Sequence, residues 1–94
     1  MTAAADILIV EDSADNRRLL TIILSAEGHR VREATNVEEA LAMARSQRPD
    51  LVISDLLMPG GADGFDLARH MRSDPSLAHV HGVLHRVLSR RRGA

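Results

Sequence analysis

The chain contains no cysteine, lysine, tryptophan or tyrosine, and Phe65 is its one aromatic residue. The absence of cysteine excludes disulfides, zinc–thiolate sites and thiol chemistry. Since all twelve basic residues are arginines, a lysine Schiff base, a lysine general base and a phosphate-binding lysine are excluded as well. The apolar residues make up 45% of the chain, so the interior must be built from Leu, Ile, Val, Ala and Met.

A long hydrophobic run is also missing. The longest apolar stretches are about five residues, whereas a membrane-spanning helix needs roughly 20. Residues 1–5 lack the basic start and the apolar core of a signal peptide. From these two absences we expect a soluble, cytoplasmic protein with no membrane partner.

The length and the charge distribution limit the organisation further. A chain of 94 residues has room for one small domain. The net charge of −1 conceals an asymmetry, because residues 1–78 carry thirteen acids and eight arginines while residues 79–94 carry four arginines and no acid. The acidic body argues against nucleic acid as the main partner, and the run Arg90-Arg91-Arg92 is a weak exception.

Strand and helix patterns alternate three times along the chain. Predicted strands occupy residues 7–10, 30–34 and 51–54, and predicted helices occupy about 14–26, 37–47 and 65–73. Gly28 is placed for a left-handed cap after the first helix, and Asn36 is placed to cap the start of the second. Asp12 or Ser13 can cap the first helix. This alternation predicts an α/β fold with a parallel sheet in the order 2-1-3.

The C-terminal part follows a different pattern. Apolar residues recur there every three or four positions, at Leu77, Val80, Leu84, Val87 and Leu88. This spacing favours an amphipathic helix, and a strand over residues 79–84 is the alternative because Gly82 weakens a helix. We therefore divide the chain into an α/β domain at residues 1–78 and a divergent helix with an Arg-rich tail at residues 79–94.

Acidic residues follow two of the predicted strands. Glu11 and Asp12 come directly after the first strand, and Asp55 comes directly after the third. The carboxyl ends of parallel strands meet at the sheet edge where open α/β folds hold their ligands, so we expect these carboxylates to lie together. Crowded carboxylates repel one another unless a cation lies among them, and their oxygens suit Mg²⁺. The alternative is that Glu11 and Asp12 only cap the first helix and interact with its dipole; Asp55 makes the metal site the favoured interpretation.

Three motifs occur in order along the chain: Ile7-Leu8-Ile9-Val10-Glu11-Asp12-Ser13, Asp55-Leu56-Leu57-Met58-Pro59-Gly60 and Asp63-Gly64-Phe65-Asp66-Leu67. In this order and with these separations they resemble the receiver domain of two-component response regulators. The resemblance implies a flavodoxin-like sheet and an aspartate, Asp55, that accepts phosphate from the phosphohistidine of a sensor histidine kinase or phosphotransfer protein. It also implies Mg²⁺ held by Glu11, Asp12, Asp55 and the backbone carbonyl of Leu57.

The chain departs from the family beyond the third helix. A receiver has five strands and five helices, so the expected fold is a receiver truncated to three βα units, plus the C-terminal amphipathic helix. The family's fourth strand ends in a Ser or Thr that contacts the phosphoryl group, and its fifth ends in a Lys. Residues 82–85 contain no hydroxyl, and the chain contains no lysine. The resemblance therefore carries over Mg²⁺ binding and phosphate acceptance, but not the family's output switch.

The resemblance to receiver domains and the differences from them leave two candidate functions. The first is a single-domain receiver that accepts a phosphoryl group on Asp55 in a Mg²⁺-dependent reaction and signals through protein contacts. Such a protein is not an enzyme beyond its own phosphorylation and dephosphorylation. The alternative is a degenerate pseudo-receiver that acts as a dimerisation or interaction module without phosphorylation. A metal-dependent phosphatase ranks third, because Asp55 lacks a second carboxylate two positions later.

The truncation also has a consequence for assembly. Without further strands the third strand, which is strongly apolar, would be an exposed sheet edge, and such edges pair with other chains. We expect a homodimer formed through this edge and residues 76–90. The stripe of apolar residues in that segment is the observation behind this expectation.

Histidines near the C-terminus suggest one more site. His81 and His85 would be one helical turn apart, a spacing that zinc sites use. With His79 they could form a metal site or carry a phosphoryl group. No acidic or thiol ligand lies nearby in the sequence, so we favour solvent-facing histidines.

Overall fold

The computed structural model describes residues 4–55 and 63–85 of the chain. Strands and helices alternate within them, as β1 (Asp6–Val10), α1 (Ala14–Ala26), β2 (Arg30–Ala34), α2 (Val37–Ser46), β3 (Leu51–Asp55), α3 (Gly64–Ser73) and β4 (His81–His85). The four strands form one parallel sheet in the order β2-β1-β3-β4. The predicted α/β class and the order 2-1-3 of the first three strands are confirmed.

Polar side chains fix the starts of the helices where the sequence placed them. The hydroxyl of Ser13 accepts from the Asn16 amide at 3.3 Å, which makes Ser13 the N-cap of α1. Asn36 accepts from the Glu39 amide at 2.8 Å at the start of α2. Each cap satisfies a backbone N–H that has no partner within the helix.

The break between α1 and β2 depends on one glycine. Gly28 has a φ of +92°, a value that residues with a Cβ rarely adopt. Its amide donates to the Ser25 carbonyl at 3.0 Å and the His29 amide donates to the Leu24 carbonyl at 3.2 Å, so these two carbonyls of the last turn are paired. The predicted left-handed cap is confirmed.

The main core lies between the sheet and the helices α2 and α3. It is built from apolar side chains of β1, β2, β3, the two helices and the turn before β4: Leu8, Val10, Ala34, Val37, Ala40, Leu41, Ala44, Val52, Leu67, Met71 and Leu77. Helix α1 lies along β1 and β2, yet it has no buried residue. Leu19, Ile22 and Ile23 on α1 are each more than half exposed.

The C-terminal helix predicted from the apolar stripe is wrong for residues 81–85, which form β4 and pair with β3. The alternative, a strand over residues 79–84, is nearer to the structure. A strand is favoured because β3 offers a partner along its whole length, from Leu51 opposite His81 to Asp55 opposite His85. Backbone pairing over that distance outweighs the helical spacing of a few apolar residues.

The third strand is therefore not an edge, and that part of the predicted dimer interface is wrong. Strand β3 pairs with β1 on one side and β4 on the other. Among residues 4–55 and 63–85, the outer sides of β2 and β4 are the two edges of the sheet. The expected Arg-rich tail falls largely on residues 86–94, which lie outside the described residues.

Candidate metal centre

The site is formed where two neighbouring parallel strands end. Strands β1 and β3 are paired up to Val10 opposite Ser54. The next residue in each segment is acidic, so Glu11 and Asp55 occupy adjacent positions at the carboxyl ends of the two strands. Carboxylate oxygens of Glu11, Asp12 and Asp55 all lie within 4.8 Å of one another. The structure thus brings together the three carboxylates that were expected to meet from their positions in the sequence.

Glu11 is the most constrained member of this group, because it is fully buried. Its Oε2 atom accepts from the Ser13 amide at 3.0 Å. Within the described part of the chain its Oε1 atom has no hydrogen-bond partner. A buried, unpaired carboxylate oxygen is costly.

That cost raises the pKa of Glu11. Its pKa is raised from 4.5 to about 7, mainly because burial disfavours the charged form. The backbone hydrogen bond from Ser13 opposes this shift, while the charge of Asp55 and the neighbouring Asp12 add to it. Near neutral pH this buried group therefore holds its charge only at a free-energy cost.

The donor set fits a hard divalent cation. Carboxylate oxygens from Glu11, Asp12 and Asp55 converge, Asp12 is exposed, and the other two are buried. Mg²⁺ prefers oxygen ligands and retains several waters, which suits a site with one open side. A cation there would bind Oε1 of Glu11, which has no partner among residues 4–55 and 63–85, and would offset the mutual repulsion of the carboxylates. The capping alternative is weaker, since Ser13 performs that role.

Two predicted features of the site have different outcomes. The carbonyl of Leu57 lies outside the described residues, so its role as a metal ligand stays a prediction. On the other side of Asp55, the residue paired with it on β4 is His85. The backbone register thus places a residue without a hydroxyl group beside the candidate phosphoacceptor.

The histidine site assumed that His81 and His85 are one helical turn apart. They lie on a strand instead, so this spacing does not occur. His79 and His81 are exposed. Among the side chains that the structure describes, no histidine belongs to a group of three potential metal ligands.

One contact of the site was missed from the sequence. The guanidinium of Arg17 on α1 donates from Nη1 to the backbone carbonyl of Glu11 at 2.9 Å. The same side chain donates from Nε to Glu33 on β2 at 3.1 Å. The sequence carries no local signal for this arrangement, because it depends on how α1 packs across β1 and β2.

The chain is similar in sequence to known proteins. The family described as response regulator receiver domain matches residues 7–84. The response regulator PleD of Caulobacter vibrioides is 42% identical over 81 residues, which are 86% of this chain and 18% of PleD. Protein PilH of Pseudomonas aeruginosa is 38% identical over 76 residues, 81% of this chain and 62% of PilH. The chain thus spans less than two thirds of the length of these curated relatives.

Solved structures show the same fold. The signal receiver domain of a signal transduction histidine kinase from Syntrophus aciditrophicus superposes with a TM-score of 0.83 at 39% identity, covering 93% of this chain and 65% of that one. The chemotaxis protein CheY4 of Vibrio cholerae gives a TM-score of 0.81 at 32% identity, covering 87% and 68%. No helix in the described part of this chain has the length and apolar character needed to cross a bilayer.

Proposed function

This chain belongs to the response regulator receiver domain family, and we propose that it accepts a phosphoryl group on Asp55 in a Mg²⁺-dependent reaction. The donor is the phosphohistidine of a sensor histidine kinase or phosphotransfer protein, in the cytoplasm. The observation that carries the proposal is the convergence of Glu11, Asp12 and Asp55 within 4.8 Å. The product is a signal read through protein contacts, rather than turnover of a separate substrate.

The proposed reaction forms one bond and breaks one. A carboxylate oxygen of Asp55 attacks phosphorus, an O–P bond forms, and the N–P bond to the donor imidazole breaks with its electron pair returning to the ring nitrogen. The obstacle is repulsion between the attacking carboxylate and the phosphoryl oxygens. Mg²⁺ held by Glu11, Asp12 and Asp55, with the Leu57 carbonyl as a further ligand, would supply the charge that offsets this repulsion.

Two features of the protein itself favour this role for Asp55. It ends β3, a strand that is paired with β1 up to Ser54 and with β4 up to Asp55 itself, and this pairing fixes the backbone there. It is only 7% exposed, which limits the access of water to a phosphoryl group attached there. Buried Ser54 donates from its hydroxyl to the Asp55 carbonyl at 3.1 Å, which further fixes the strand end.

The test is incubation with Mg²⁺ and acetyl phosphate, followed by intact mass measurement. The expected result is a phosphoryl adduct on the wild type that is absent from Asp55→Asn and absent when Mg²⁺ is removed with a chelator. Asp15→Asn is the matched control, because Asp15 is an exposed acid in the first turn of α1. Asp15→Asn must form the adduct as the wild type does.

The second candidate, a pseudo-receiver that acts without phosphorylation, is favoured by one observation. The β4 residue paired with Asp55 is His85, residues 81–85 include no Ser or Thr, and the chain has no lysine. The family's means of sensing the phosphoryl group are therefore not encoded at that strand end. If no adduct forms under any condition tested, this candidate replaces the first.

We also propose a homodimer, formed through the outer edge of β4 and the adjoining turn rather than through β3. The edge strand has the sequence His-Gly-Val-Leu-His, with no proline or acidic residue to discourage pairing. Two antiparallel copies centred on Val83 would place His81 of each opposite His85 of the other in backbone register. Such pairing would extend the sheet to eight strands across a twofold axis.

A further inference from the structure

The peptide that joins Glu11 to Asp12 lies just past the end of the β1–β2 ladder, and its carbonyl oxygen is held by a side chain. The Glu11 amide makes the last ladder contact, donating to the Ala34 carbonyl at 3.0 Å. The Glu11 carbonyl instead accepts from Nη1 of Arg17 at 2.9 Å. Because the peptide group is planar, fixing this carbonyl also fixes the Asp12 amide and the direction in which the chain enters Asp12.

Arg17 is itself held in place by α1 and β2. Its Nε atom donates to Oε1 of Glu33 at 3.1 Å, and the hydroxyl of Thr21 donates to Oε2 of Glu33 at 2.8 Å. Arg17 and Thr21 are one helical turn apart, so they share a face of α1. The Arg17 side chain is only 18% exposed. Glu33 therefore binds the guanidinium through Oε1, while Oε2 is held by Thr21 on the same helix.

We propose that Arg17 is a positioning residue for the divalent-cation site, an inference that rests on the proposed Mg²⁺-dependent function. Arg17 holds the peptide between Glu11 and Asp12 in one orientation, so that both carboxylates point toward Asp55 before a cation arrives. Glu33 and Thr21 hold Arg17. The planar, forked guanidinium suits this role because it donates to two acceptors at a fixed angle.

The charges distinguish this role from simple electrostatics. A positive charge near the site repels a cation, so the charge of Arg17 alone would weaken binding. Its ion pair with Glu33 offsets that charge, and what remains is the hydrogen bond to the Glu11 carbonyl. Removing Arg17 should therefore weaken cation binding through lost orientation, the opposite of what loss of a repelling charge would do.

The role also differs from that of an ordinary surface ion pair. Exposed pairs contribute little to folding, and a pair far from the carboxylates does not orient them. The pair between Arg45 and Asp74, at 2.9 Å, is such a case, because it joins α2 to the end of α3. Arg45→Met is thus a matched control for Arg17→Met: the same side chain is replaced, and an ion pair is lost in both.

The experiment measures Mn²⁺ binding by electron paramagnetic resonance, with Mg²⁺ as the competitor, on the full chain. Arg17→Met is expected to raise the Kd about 10-fold, the lower end of the effect typical of residues that orient metal ligands. Arg17→Lys should recover part of the loss, since an ammonium can donate to the Glu11 carbonyl but cannot bridge to Glu33. Glu33→Gln should fall between the wild type and Arg17→Met. Arg45→Met should bind as the wild type does.

The outcomes separate this inference from the function on which it rests. If the wild type and Arg17→Met bind Mn²⁺ equally, or Arg17→Met binds more tightly, the positioning role is overturned and the proposed function stands. If the wild type binds no Mn²⁺, the proposed function fails, and the inference fails with it. Should Arg17→Met unfold by circular dichroism, Arg17→Lys and Glu33→Gln decide: wild-type affinity in both would overturn the role.

Discussion

Burial and the negative charge of Asp55 both raise the pKa of Glu11, which reaches about 7 even though the Ser13 amide opposes the shift. The two acids come together because β1 and β3 are paired in parallel up to the residues that precede them. The same register that positions the candidate ligands thus creates a repulsion in the metal-free protein. A cation that binds there relieves it.

The first prediction concerns Glu11→Gln in the metal-free protein. A raised pKa means that folded Glu11 binds a proton more readily than unfolded Glu11, so its charge costs stability above pH 4.5, and the full cost applies above about pH 7. Gln removes this cost. The variant should be more stable than the wild type by about 1–3 kcal/mol at about pH 8, and the gap should narrow as the pH falls toward 4.5.

Urea denaturation with a chelator present, repeated across this pH range, measures that gap. Comparing the two proteins at each pH cancels the contribution of titratable groups that do not interact with Glu11. A difference that stays constant with pH would contradict the raised pKa of Glu11.

The second prediction concerns Mg²⁺ and thermal stability. A ligand that binds only the folded state stabilises it by about 1.4 kcal/mol at ten times its Kd, which for a chain of this size raises the Tm by about 5 °C or more. Asp12→Asn should abolish the rise, because Asp12 is the exposed member of the carboxylate group. Asp15→Asn should keep it. An equal rise in both variants would show that Mg²⁺ binds elsewhere.

The third prediction compares two leucines. Leu77 is 1% exposed and lies in the turn before β4, yet it packs into the main core. Leu77→Ala should cost about 2–4 kcal/mol, because it leaves a cavity in packed surroundings. Leu19 on α1 is 57% exposed, so Leu19→Ala should cost less than about 0.5 kcal/mol. Similar losses in the two variants, measured by chemical denaturation, would contradict the described packing.

The fourth prediction tests the dimer. Light scattering should give twice the chain mass at micromolar concentrations. In a strand that is paired on one side, alternate amides point away from the partner strand. Gly82 and Val83 are adjacent, so one of the variants Gly82→Pro and Val83→Pro removes an outward N–H. That variant should be a folded monomer. The other should weaken the pairing of β4 with β3. A wild type that stays monomeric, or two proline variants that both stay dimeric, would refute an interface at the β4 edge.

Most of the fold was predictable because its signals are local. The apolar runs in β1 and β3 and the caps at Ser13 and Asn36 each lie within a few residues of the element they define. The order of the first three strands follows from the handedness of parallel crossovers. The convergence of Glu11 and Asp55 needed only that order and the knowledge that both acids follow strands.

What was missed depends on contacts between distant segments. The spacing of Leu77, Val80 and Leu84 fits a helix as well as it fits a turn and a strand, and only the presence of β3 alongside decides for the strand. The contact of Arg17 with the Glu11 carbonyl depends on Glu33, sixteen positions away on β2. No pattern within one window of sequence reports such a geometry.

No residue of helix α1 is fully buried, and Arg17 and Thr21 join the helix to the sheet by hydrogen bonds to Glu33. Amide protons of α1 should therefore exchange with deuterium sooner than those of β1, through local openings that leave the sheet intact. A partner that covered Leu19, Ile22 and Ile23 would slow that exchange. Arg17 lies on the same helix and donates to the Glu11 carbonyl. Contact at this surface would therefore change the positions of the carboxylates.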